Sequence, residues 1–281
     1  MAASPARFTA GNRPPVALAN PIAADLDVMR PSILPNLLQA AVRNAARGSG
    51  DVALFEVGPQ YADDTPEGQL LMAAGIRIGS VRPRHWAAHQ RAADAFDAKA
   101  DAQALLAICG APVDNLQVST DAPGWYHPGR SGVLRLGPTV LAQFGELHPR
   151  VLRELNVKGA AVGFELFLER IPQPKAKGKG AASTRPLLQA SAYQPVERDF
   201  AFVVAADVPA EKLIRAVKGA DKALIQAVSL FDVFEGGSLG AGRKSLAVSV
   251  TLQAMDRTLT ERGDRRRLRE DRRCRHQSHR R

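Results

Sequence analysis

Apolar positions in the first third of the chain follow two rhythms. Over residues 33–46, Leu34, Leu37, Leu38, Ala41, Val42 and Ala45 recur at spacings of three and four. That period predicts one helix with a single apolar stripe, and Arg43, Asn44 and Arg47 lie off it. Pro31 stands where such a helix can begin, since the N–H it lacks would be unpaired there anyway. Gly48 and Gly50 end it. Residues 52–57 (VALFEV) then read as a short apolar strand closed by Gly58 and Pro59, and residues 69–78 as a strand that continues the same sheet. Residues 94–108 predict a second helix, with Phe96, Ala100, Ala104, Leu105 and Ile108 on one side and Gly110 and Pro112 stopping it. Further short strands are expected at 116–119, 132–136, 139–144 and 161–168. Helices mixed with strands around an antiparallel sheet give an α+β class.

The pattern lapses at 172–186 (PQPKAKGKGAASTRP), where Lys alternates with Gly, Ala and Pro and no large apolar residue anchors a core. A domain boundary is expected there. Beyond it, a strand at 199–204, a helix at 209–218 and strands at 224–234 and 244–252 follow in the order β-α-β-β. A further helix and strand would complete a ferredoxin-like sandwich. Residues 256–261 read as the start of that helix, with Thr258 or Thr260 as its cap. The next twenty residues hold no apolar stripe that could bury either missing element. Residues 1–19 are irregular as well, so the chain reads as one that starts inside a domain.

Charge changes this picture only locally. The net charge is +10, but residues 262–281 alone carry 10 Arg against Asp264, Glu270 and Asp271, which leaves +3 for the other 261 residues. A nucleic-acid argument from the overall balance is therefore an argument about the tail. That tail reads either as a frame-shifted translation or as a native Arg-rich RNA-binding segment. Two cysteines, Cys109 and Cys274, make no disulfide framework and point to a reducing compartment. No apolar run approaches the roughly 18 residues of a membrane span, so a cytoplasmic protein with no membrane partner is expected.

Local motifs offer little chemistry. Residues 237–245 (GSLGAGRKS) miss the phosphate-loop pattern because Arg243 precedes Lys244, and the apolar alternation that follows is a strand where that loop needs a helix. A glycine-rich hairpin is the expectation. His85 and His89 have the spacing of a metal pair but lack a third ligand. His127 and His148 stand beside prolines in expected turns, where they would serve as hydrogen-bonding groups. Cys109, at the end of an apolar helix, reads as a small core residue. No catalytic residue and no metal site are proposed from these patterns.

Several ordered motifs together say more. NPI…D…MRPS…LPNLL…RN…RG…DVALFEVG at 20–58 is followed by YHPGRSG at 126–132, FGELHP at 144–149, FELFL at 164–168, ERDFAFVV at 197–204 and FDVFEGGSLGAGRKSLAVSVTLQAMDRTLT at 231–260. This series resembles the C-terminal region of the bacterial phenylalanyl-tRNA synthetase beta subunit family over roughly 240 residues, ending at Glu261. The resemblance implies a class II synthetase-like antiparallel sheet domain, truncated at its N-terminal side, at 1–171. A linker at 172–188 and an incomplete ferredoxin-fold anticodon-binding domain at 189–261 follow, then the Arg-rich tail at 262–281.

It also implies a function. Such a chain would support ATP-dependent charging of tRNA-Phe with phenylalanine by binding an alpha subunit, in an (αβ)2 heterotetramer, and by binding tRNA. Class II enzymes clamp ATP with an arginine just after a strand, because a guanidinium meets phosphate with paired donors. FEVGPQY places Pro59 and Gln60 there. FGELHPRVLREL offers Arg150 and Arg153 without a glycine-rich approach to a nucleotide. The domain is thus expected to be catalytically silent, with ATP and Mg2+ used by the holoenzyme and neither bound by this chain alone. The helix at 33–47 and the VALFEV strand are interface candidates. Arg198, Arg215, Lys218, Arg243 and Lys244 are the tRNA-binding candidates, through phosphate contacts. Phe200, Phe202, Phe231 and Phe234 could stack on bases, and most are expected in the core. The alternatives are a stand-alone RNA-binding protein that uses the basic tail, or a non-functional truncated product.

Overall fold

A computed structural model describes residues 8, 15–23, 27–173 and 190–259. The chain divides into two compact units, Met1–Lys177 and Gly178–Arg281. The expected linker lies almost wholly outside the described residues, and the Arg-rich tail lies wholly outside them.

In the first unit, α1 (Leu34–Ala45) leads into β1 (Val52–Tyr61) and β2 (Gln69–Ile78). Next come α2 (Ala95–Ile108), β3 (Gln117–Ser119), β4 (Tyr126–Leu136), β5 (Thr139–Leu147), α3 (Pro149–Glu154) and β6 (Ala161–Phe167). The six strands form one antiparallel sheet in the order β1-β2-β6-β5-β4-β3. On one face, α1 and α3 bury Leu34, Leu38, Val151 and Leu152 against Met72, Ile76 and Leu147. On the other, α2 buries Ala98, Ala102 and Leu106 against Leu141, Ala142 and Leu166. Each leucine so enclosed contributes about 1.5–3 kcal/mol relative to exposure.

Several sequence expectations change here. Pro31 precedes α1 without entering it; Pro35 is the proline of the first turn. The Ser32 hydroxyl accepts the Leu34 N–H at 3.1 Å. The strand predicted to stop at Val57 continues through Gly58 and Pro59 to Tyr61. It can do so because β1 is an edge strand, where a proline's missing donor disrupts no second ladder. The stripe predicted for α2 is on the wrong side. Phe96 and Ile108 are 78% and 82% exposed, and the smaller Ala98 and Ala102 with Leu106 face the sheet. Asp97, Lys99, Asp101 and Gln103 recur at every second position, which puts them on opposite sides of the helix and leaves periodicity no single polar face to measure against. Its N-terminus is capped reciprocally by Asp94 and Asp97. Cys109 caps the far end and is exposed, contrary to the core reading.

The second unit contains β7 (Val196–Ala205), α4 (Ala210–Lys218), β8 (Ile225–Phe234) and β9 (Arg243–Leu252). Their sheet is antiparallel, ordered β7-β9-β8. Leu213 and Val217 of α4 pack on Leu246, Val248, Val250 and Leu252. The GSLGAGRKS segment connects β8 to β9, as a hairpin should; residues 256–259 carry no helix, and the rest of the expected helix start, Thr260 and Glu261, lies outside the described residues. Phe200 and Phe202 pack against the core, whereas Phe231 and Phe234 are about half exposed. The expectation for the four phenylalanines is therefore met by two of them.

Candidate partner and nucleic-acid interfaces

The centre of the first unit is a buried carboxylate. Glu165 sits on β6 among Ala161, Val162, Phe164 and Leu166, and is 2% exposed. Its Oε1 accepts from the Ser32 hydroxyl at 2.6 Å and from Gln60 Nε2 at 3.1 Å. Its Oε2 accepts from Trp125 Nε1 at 3.0 Å and from the Tyr126 hydroxyl at 3.2 Å. Burial pushes the Glu165 carboxyl above its ordinary pKa, and the four hydrogen bonds pull part of that back. The Tyr126 phenol is pushed well up, first by burial and then by the neighbouring carboxylate. Both carboxylate oxygens are engaged, so this centre joins the segment before α1 to β1, β4 and β6.

Gln60 occupies the place where a phosphate-clamping arginine would be expected in an active relative, and it is committed to Glu165. The nearby Arg30 is committed too. It donates from Nη1 to Glu56 at 2.6 Å and from Nε to the Pro59 carbonyl at 2.8 Å. It crosses Gly58, where a Cβ would come within 2.5 Å of the guanidinium. Arg150 and Arg153 lie exposed on α3. These residues do not fit a nucleotide site. Among the described residues no group of three His, Cys, Asp or Glu is placed to hold a metal ion. His148 caps α3 by accepting the Arg150 N–H at 3.1 Å. His127 lies within β4, not in a turn, and accepts the Gly129 N–H at 3.1 Å.

The face of β1 turned away from Glu165 is open. Phe55 is 79% and Val57 56% exposed, beside a groove of about 390 Å³ lined by Ala53, Gly75, Leu105 and Phe164. At its rim, Arg77 on β2 binds Asp101 on α2 through hydrogen bonds of 2.6 and 2.9 Å. The hydrogen bond to Asp101 raises the Arg77 pKa above its ordinary value. An apolar face on an edge strand is a surface suited to a partner.

In the second unit the five basic candidates do not converge. Arg215 pairs with Glu211 one turn earlier on α4, and Lys218 is exposed at the helix end. Arg198, near the start of β7, is half-buried and already engaged. Arg243 and Lys244 pair in register with Ala205 and Val204, at the far end of β7. The Lys244 ammonium donates to the Ala206 carbonyl at 2.7 Å. Arg198, Arg215 and Lys218 thus occupy one end of the unit, and Arg243 and Lys244 the other.

Periodicity did not find the Glu165 cluster. One signal was present: a lone glutamate inside the apolar strand AVGFELF, since such a residue is rarely buried without partners.

Two family models place this α+β chain in the aminoacyl-tRNA synthetase class. Residues 191–264 match the ferredoxin-fold anticodon binding domain. Residues 3–168 match the phenylalanyl tRNA synthetase beta chain CLM domain, and the chain belongs to that family. It is 57% identical over 251 residues to the phenylalanine–tRNA ligase beta subunit of Rhodospirillum rubrum, covering 89% of this chain and 31% of that protein. The beta subunit of Paramagnetospirillum magneticum is 56% identical with the same coverage. That of Brucella suis is 52% identical over 261 residues, covering 91% of this chain and 32% of the relative. The chain thus spans about a third of the length of these relatives.

Proposed function

We propose that this chain works as a non-catalytic part of a phenylalanine–tRNA ligase, supporting ATP-dependent charging of tRNA-Phe through binding of an alpha subunit and of tRNA. The observation that carries the reading is the open apolar face of β1, with Phe55 and Val57 turned to solvent on an edge strand beside the β1–α2 groove. In this reading the alpha subunit covers that face and completes an (αβ)2 heterotetramer in the cytoplasm. Among the described residues no helix is long and apolar enough to cross a membrane. ATP and Mg2+ are met by the alpha chain, since Gln60 and Arg30 are held by partners within this one.

The domain boundaries at 171 and 188 belong to the same reading. The second unit contributes tRNA contacts from Lys218 and Arg243, with Arg198, Arg215 and Lys244 able to join only after leaving their present partners.

Co-expression with a phenylalanine–tRNA ligase alpha subunit from the same genome tests the reading. The wild-type chain is expected to co-purify with it, and Phe55→Asp to lose that association while keeping its thermal midpoint. Co-purification of the two proteins unaffected by Phe55→Asp and Val57→Asp together would remove β1 as the interface. No association of the wild-type chain would remove the partnership itself.

A further inference from the structure

Residues 79–93 form an ordered hairpin that neither the Glu165 centre nor the β1 face uses. Its base is closed by the Ala93 N–H donating to the Gly79 carbonyl at 3.0 Å and the Val81 N–H donating to the Arg91 carbonyl at 3.1 Å. The Gln90 amide donates to the Ser80 hydroxyl at 2.9 Å, and the Ser80 N–H donates to the Asp51 carboxylate at 2.7 Å. Arg91 grips Asp97 at the start of α2 with two bonds of 2.7 Å. At the tip, the bridge between His85 and Ala88 turns the chain back on itself. There Trp86 is 94% exposed, with the His85 ring stacked beside it at 5.7 Å and an interplanar angle of 29°.

The hairpin holds Arg82, Arg84, Arg91, His85 and His89, and no acidic residue between Gly79 and Ala93. Arg91 is used at the base. Arg82 and Arg84 are exposed and have no ion-pair partner among the described residues. An indole held at the end of a braced arm, with the exposed Arg82 and Arg84 on the limb that leads to it, combines a stacking plane with phosphate-binding charge. A protein partner for this tip would need acidic groups as well as an apolar pocket. Unpaired nucleotides supply both complements together, a planar base for the indole and a phosphate for each arginine.

We propose that this hairpin is an RNA contact within the first unit, in which Trp86 stacks on an unpaired base and Arg82 and Arg84 meet the flanking phosphates. The proposal rests on the reading of the chain as a tRNA-binding protein and adds to it an element outside the anticodon-binding unit.

The test uses the full chain with two probes, a tRNA-Phe transcript and an unstructured single-stranded RNA of about twelve nucleotides. Wild type is compared with Trp86→Ala, Trp86→Phe and Arg82→Ala/Arg84→Ala. The arginines of residues 262–281 are common to all four, so differences report the hairpin. Both RNAs are expected to quench indole fluorescence in the wild type and much less in Trp86→Phe, where Trp125 remains enclosed. Trp86→Ala should weaken binding about tenfold, with Trp86→Phe losing less. The double arginine variant should lower the salt dependence of log K by about 0.7 for each lost phosphate contact. Unchanged thermal midpoints show that the variants fold. If tRNA binds the wild type and Trp86→Ala equally, the hairpin proposal fails and the tRNA reading stands. If tRNA does not bind at all, that reading fails, while the single-stranded probe still decides on the hairpin. Loss of alpha-subunit association by Trp86→Ala with RNA affinity unchanged would make the tip a protein contact and overturn the proposal.

Discussion

Ser32 and Glu165 are 133 residues apart in sequence and meet through a 2.6 Å hydrogen bond in the buried centre of the first unit. The same hydroxyl accepts the first N–H of α1, so one serine sets both the start of that helix and one lobe of the carboxylate. Gln60, Trp125 and Tyr126 supply the other three donors.

Replacing Glu165 by Gln should destabilise the first unit by about 2–3 kcal/mol, although the shape is retained. The amide offers one acceptor oxygen where four donors converge, and its NH2 points at two of them. Urea unfolding at neutral pH measures this; a change below about 0.5 kcal/mol would show that the cluster is not cooperative.

The same carboxyl makes a signed prediction about pH. Its folded pKa lies above the unfolded value of 4.5, because burial outweighs its hydrogen bonds. The folded state therefore holds the proton longer, and stability from this group is full below the unfolded pKa and lost as pH rises through the folded one. The stability advantage of wild type over Glu165→Gln should accordingly narrow as pH is raised from about 4 upward. An advantage that widens over that range would contradict the assignment.

Asp101→Ala should cost about 1 kcal/mol at low salt, because it frees Arg77 and loosens α2 from β2, and both side chains are near one-third exposed. The penalty should shrink in about 0.5 M NaCl, where exposed charges are screened over a few ångströms. A salt-independent loss would assign the effect to packing.

Gly145→Ala is expected to cost about 3 kcal/mol or more. Gly145 has φ +150° and lies beside the irregular stretch of β4, where an added Cβ would come within 2.4 Å of the Ser131 side chain and 2.7 Å of the Arg130 carbonyl. Backbone cannot yield as a side-chain tip can. A thermal midpoint within a degree or two of wild type would show that the strand pair shifts freely there.

Local pattern located most elements. Leu34, Leu37, Leu38 and Ala41 form a real buried stripe, and the alternation in KSLAVSVTL is the real core face of β9. In both cases each residue's environment follows from its own helix or strand. Pattern failed for α2, whose polar residues at every second position stand on opposite sides of the helix, and at Pro59, whose tolerance depends on β1 being an edge strand.

The amino-acid sequence by itself determined where most helices and strands form, the α+β class and the family, because these rest on local spacing and on ordered motifs. Tertiary structure alone decided that Ser32, Gln60, Trp125 and Tyr126 converge on Glu165, which faces of β1 and α2 remain open, and that Trp86 stands at the tip of a braced hairpin. Those outcomes depend on strand order and on contacts between residues up to 133 positions apart. No period of two or 3.6 residues encodes such distances.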